Sequence, residues 1–77
     1  MILTEAPYDL KLVIREISTD TQIKRKLHAY GLHKDDLVMK LNESNGGPVL
    51  LCNVRNSSVK IAVDRKIAKG IMVDYAE

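Results

Sequence analysis

The chain has 77 residues, with twelve Lys and Arg against ten Asp and Glu, a formal charge of +2, and 45% hydrophobic residues that include no Phe and no Trp. A single domain of this length buries only about 60% of its unfolded surface, so a core of Leu, Ile, Val and Met leaves little volume for an enclosed active site, which argues against a stand-alone enzyme. Charges of both signs are dispersed and the only aromatics are Tyr8, Tyr30 and Tyr75, which argues against a nucleic-acid surface.

Residues 1–9, with Pro7, read as an irregular lead-in to one domain spanning 1–77. They lack the basic start and apolar stretch of a signal peptide, and no later run approaches the length of a membrane span, so the chain is expected in the cytoplasm and outside the bilayer. Leu10, Leu12 and Ile14 then recur at period two, interrupted by Val13, and predict a first strand with Arg15-Glu16-Ile17 as its tail.

Thr19, with Gln22 three residues on, has the form of a capping box and starts a helix. Within it Ile23, Leu27 and Tyr30 fall at i, i+4 and i+7 and predict one apolar stripe, with Lys24, Arg25 and His28 beside or behind it. Gly31 suits the left-handed position after a helix, and Leu32 can fold back on Leu27 as the contact of a Schellman stop.

After a polar linker, His33 to Asp36, the residues Leu37, Met39 and Leu41 alternate with Val38, Lys40 and Asn42 in a strand ending at Glu43. Asn45-Gly46-Gly47-Pro48 supplies positive φ for a hairpin turn. The return strand, Val49 to Arg55, is apolar on both faces at first, so one face is expected to meet the helix or a partner rather than water. Cys52 lies in that run. As the only cysteine it excludes an intramolecular disulfide and a thiolate zinc knot, and its place is that of a small buried hydrophobe.

Asn56-Ser57-Ser58 reads as a second turn and Val59 to Val63 as a strand. Asp64 caps a helical turn through Arg65 to Lys69 that Gly70 closes, and Ile71 to Tyr75 is the last strand. The chain is therefore mainly β with one α-helix and a short helical turn, and five short strands close most readily into a small SH3-like β-barrel that removes exposed edges.

The order of these signals carries a resemblance. Lys26-Leu27 with Tyr30-Gly31-Leu32 at the helix end, Gly46-Gly47-Pro48 at the hairpin, Lys60-Ile61-Ala62-Val63 before the short helix, and Ala68 through Ile71-Met72-Val73 at the close together resemble the FeoA family over residues 10 to 75. One position departs from it. The family commonly has a glycine a few residues beyond the Gly-Leu, where this chain has Asp35, a residue type that tolerates left-handed backbone.

The resemblance implies a barrel without catalytic residues or a resident cofactor, serving bacterial ferrous-iron uptake as an accessory or regulatory protein. Its implied partner is the cytosolic G domain of the membrane iron transporter FeoB. On that reading the partner-facing candidates are Lys24, Arg25 and His28 on the helix and Asn45, Gly46 and Gly47 at the hairpin; association between copies of the chain is left open. The commoner role of Lys24-Arg25-Lys26 is a solvated helix face. Gly46-Gly47, followed by Pro48 and a strand, lacks the form of a phosphate-binding loop.

The alternative is a metal-binding or metal-sensing domain similar to the C-terminal barrels of metal-dependent repressors. Its candidate ligands are His33, Asp35 and Asp36, one imidazole and two carboxylates that would hold Fe2+ or Mn2+ weakly. Adjacent carboxylates diverge on an extended chain, so further ligands would be required.

Overall fold

The computed structural model describes residues 1–43 and 45–76. A 3-10 turn, Leu3–Glu5, precedes strand β1 (Lys11–Ile17), helix α1 (Thr21–Ala29), strands β2 (Leu37–Glu43), β3 (Val49–Asn53) and β4 (Asn56–Val63), the four-residue helix α2 (Arg65–Ala68) and strand β5 (Ile71–Tyr75). The strands form one antiparallel sheet in the order β4-β3-β2-β1-β5. Both edge strands send side chains into one apolar cluster, Ile61 and Val63 from β4 and Ile71 and Val73 from β5, with Leu12, Ile14, Val38 and Leu51 from the strands between. A sheet whose opposite edges share a core is curled, as the expected SH3-like barrel requires.

Two β-bulges decide which side chains face inward. Ile14 pairs with Val73 and Glu16 with Met72, so Arg15 is an extra residue and Ile17 returns to the face of Ile14. Leu12, Ile14 and Ile17 are all buried in consequence, while Leu10 lies before β1 and is exposed. Leu41 is the extra residue of β2, between Lys40 and Asn42.

The stripe of β2 is inverted relative to the simple alternation of its leucines. Residues directly opposite in an antiparallel pair share a face; Val38 opposes Leu12 and Lys40 opposes Leu51, so Val38 and Lys40 point into the core. Leu37 and Met39 take the other face, half-buried. Lys40 is 1% exposed. Its Nζ donates to the carbonyls of Thr4 and Ala6 at 3.0 Å each and stands 4.8 Å from the centre of the Tyr8 ring, while its own carbonyl accepts the Asp9 N–H at 2.9 Å.

Residues 1–9 are thus part of the packed structure. Leu3 and Ala6 belong to the core cluster. Ile2 forms a bridge with Met72, and Met1 and Val73 exchange two hydrogen bonds of 2.8 Å. The segment covers the outer edge of β5 and then crosses to β2.

Helix α1 begins one residue later than its capping box suggested. Asp20, in extended conformation, accepts the Ile23 N–H at 2.9 Å and is the N-cap in place of Thr19. The stop is as expected: Gly31 has φ +88°, its N–H reaches the His28 carbonyl at 3.0 Å, and the Leu32 N–H reaches that of Leu27 at 2.9 Å. Leu27 and Leu32 are buried together in the core. Tyr30 sits where the chain leaves the helix and is 59% exposed, so the inward stripe shortens to the half-buried Ile23 and the buried Leu27.

The turn after β3 falls at Val54-Arg55 rather than Asn56-Ser57-Ser58, which belong to β4. Asn53 is the reason. Its Oδ1 accepts the Arg55 N–H at 2.9 Å, and its Nδ2 donates to the Gly31 carbonyl at 3.0 Å, tying this turn to the helix stop. Along β3, Val49 and Leu51 face the core cluster, and Cys52 is buried on the opposite face beside Met39. Among the described residues of the hairpin between β2 and β3, Gly46, at φ +75°, takes the left-handed conformation and Asn45 and Gly47 do not.

Asp64 caps α2 as expected, accepting the Lys66 N–H at 2.8 Å. Gly70 follows, but not for its φ. Its carbonyl accepts the Ser18 N–H at 2.7 Å, and a Cβ at this position would collide with the Ser18 carbonyl oxygen. Among the described residues no helix is long and apolar enough to cross a membrane.

Three outcomes follow for stability. Lys40→Met keeps most of the side-chain bulk but leaves the Thr4 and Ala6 carbonyls without their donor, so urea denaturation should show a loss of about 1–3 kcal/mol. Gly70→Ala, which forces backbone against backbone, should cost about 2 kcal/mol or more, whereas Gly46→Ala, in open space but at positive φ, should cost about 1 kcal/mol; thermal melts giving the reverse order would contradict this packing. Asp35, at φ +72°, should accept glycine within about 0.5 kcal/mol but lose about 1–2 kcal/mol on replacement by valine, measured in the same denaturation series.

Candidate functional site

An open groove of about 770 Å³ lies between α1, the bulged part of β1 and the turn that follows the helix stop. Lys24 and His28 enter it from α1, Arg15 and Glu16 from β1, and His33 and Lys34 from the turn, with Ile17 and Met72 as its apolar lining. The bulge places Arg15 here. Its Nε donates to Asp74 Oδ2 at 3.1 Å and its guanidinium lies 3.9 Å from Asp35, a pair of exposed contacts that orient the side chain more than they stabilise the fold.

His33 is held by its own turn. Its backbone N–H and its Nδ1 both lie 2.9 Å from Asp36 Oδ2, and the Asp36 N–H returns to the His33 carbonyl at 3.1 Å. The imidazole also stacks on His28, with ring centres 4.7 Å apart. Lys24 and Lys34 make no ion pair with any described residue. The groove therefore presents uncommitted ammonium groups beside two imidazoles, and among the described residues that line it Glu16 is the one carboxylate and there is no hydroxyl or thiol side chain. Such a lining suits holding an anionic group more than nucleophilic chemistry.

The candidates read from the sequence distribute unevenly. Lys24, His28 and His33 meet in the groove; Arg25 is exposed outside it, and Asn45, Gly46 and Gly47 sit at the hairpin tip and do not line it. The three candidate metal ligands do not converge: Asp36 takes His33, while Asp35 turns through positive φ toward Arg15. Among the described residues no group of three His, Cys, Asp or Glu is placed to hold a metal ion. Arg15 and Lys34 carried no signal in the sequence, since a bulge and a turn bring them in. Asn53 could have been suspected from its turn-forming chemistry.

Comparison with known proteins agrees with this architecture. No curated protein matches the chain in sequence. A crystal structure of an iron uptake regulatory protein, FeoA, superposes with a TM-score of 0.83 at 21% identity, over 99% of this chain and 97% of that one. The solution structure of an FeoA-like protein from Clostridium acetobutylicum superposes with a TM-score of 0.75 at 18% identity, over 97% of this chain and 85% of its own. At such identities these likenesses speak for the fold. The sequence itself matches the FeoA domain over residues 1–75, which takes in the Lys40-bound segment as well as the barrel, and the chain belongs to the FeoA family.

Proposed function

We propose that this FeoA domain is an accessory or regulatory protein of ferrous-iron uptake that docks on the cytosolic G domain of a FeoB-type membrane transporter. The observation that carries the reading is the family match across residues 1–75. It is supported by a solved structure of the same fold belonging to an iron uptake regulatory protein. The groove adds a local argument. Lys24 and Lys34 are charged, exposed and without a described ion-pair partner, the condition in which a surface gains by meeting carboxylates of another protein.

A docked domain alters a transporter only by binding two of its states unequally. The G domain, which alternates between nucleotide states, offers such a pair. The contribution of this chain is then a surface, with no reacting group of its own.

Titrating the purified G domain into isotope-labelled protein, without nucleotide and with each of its guanine nucleotides, tests the proposal. Amide shifts are expected around Lys24, His28 and Lys34, with an affinity that differs between nucleotide states, falls with added salt, and drops about tenfold in a Lys24→Glu, Lys34→Glu variant. An absence of shifts in every nucleotide state would rule out docking on that domain.

A further inference from the structure

The two edges of the sheet are treated differently. Met1 and Ile2 cover the outer edge of β5, but β4 has β3 on one side only, and no described backbone segment other than β3 bonds to Asn56–Val63. Depressions follow this open edge from Asn53 and Asn56, past Val59 and Ala62, to Asp64 and Ile67. Tyr30 lines each of these three, and Val59, Ile61 and Ala62 each line two, so they form one continuous groove with β4 as one wall and the end of α1 as the other.

Its chemistry is specific in two respects. Tyr30 and Val59, at 59% and 40% exposed, are two of the five large hydrophobic side chains that the described residues leave in water, and both open into this groove above the half-buried Ile23 and Ile67. The charges along it are unbalanced. Asp36 is engaged by His33 and Asp64 caps α2, whereas the side chains of Lys26, Arg55 and Lys60 have no ion pair among the described residues.

We infer that the groove between β4 and α1 receives an extended segment of a partner protein, apolar at alternate positions and acidic between them, which adds to the sheet as a strand alongside β4. The main-chain groups of an open edge supply the hydrogen bonds, and the apolar pockets select alternate side chains. Opposite β3 the regular part of β4 is residues 60–63, while residues 57–59 bulge out between the pairing of Cys52 with Lys60 and that of Asn53 with Asn56, so the straight edge extends about 13 Å and has room for about four residues of a partner. A second copy of this chain fits less well. Antiparallel pairing of two copies along the regular part, centred on Ile61, would set the Lys60 side chains of both copies diagonally together on one face. The groove shares only His33 with the Arg15, Lys24 and Lys34 groove, and the inference does not depend on the transporter reading.

The test is selection of random linear peptides on phage against the immobilised full chain, followed by titration of a selected synthetic peptide into the isotope-labelled protein. Selected peptides should alternate apolar and acidic residues, shift the amides of Asn56–Val63 and Tyr30, and slow hydrogen exchange along β4. They should bind at least about tenfold more weakly to Tyr30→Ala and to Ala62→Lys, two variants at exposed positions that should keep the folded spectrum. Failure to select any peptide, or shifts confined to Arg15, Lys24 and Lys34, would overturn the inference. Concentration-dependent broadening of β4 in the peptide-free protein would overturn it in favour of a second copy.

Discussion

At the centre of this small domain an ammonium group, that of Lys40, is withdrawn from water and bonded to the main chain of residues that precede the first strand. A charge in such a place costs several kcal/mol unless its donors are met, so the segment that supplies the carbonyls cannot leave without stranding it. Two further connections follow from that constraint. Leu3 and Ala6 are held against the barrel, completing a core that has no Phe or Trp to fill it, and Met1 and Ile2 are brought onto the outer edge of β5. One end of the sheet is thereby closed.

The same economy governs the surface. The helix stop at Gly31 and Leu32 fixes where His33 begins, the carboxylate of Asp36 fixes its ring, and Asn53 joins the Gly31 carbonyl to the turn before β4. From that one junction two grooves diverge, a basic one toward Lys24 and Arg15 and a more apolar one along β4, with His33 at the rim of both. Among the described residues the basic groove is lined by no hydroxyl or thiol side chain. A domain of this size is equipped to present surfaces, which fits an accessory role in iron transport.

Much of the fold was legible in short-range chemistry. Gly31-Leu32, the cap at Asp64 and the β2–β3 hairpin each depend on neighbours within a few residues, and each is found where the sequence placed it. Lys40 was not legible. Which face of β2 turns inward is decided by Leu12 and Leu51, far away in sequence, and the alternation of Leu37, Met39 and Leu41 pointed to the wrong face. The candidate site was read in part for the same reason. Lys24 and His28 lie one helical turn apart on α1, so their nearness could be read from the sequence, whereas Arg15 and Lys34 reach the groove only because of a bulge and a turn.

The claim on which the rest stands is that residues 1–9 and the barrel open and close as one unit. Native-state hydrogen exchange across a denaturant series measures this at the amides of Ala6, Asp9 and Val73, whose acceptors are the carbonyls of Leu3, Lys40 and Met1. They should exchange with the same opening free energy and the same denaturant dependence as the amides of Ile14 and Leu32. Exchange of the first three through local fluctuations of near-zero free energy, while Ile14 and Leu32 still await global unfolding, would contradict it.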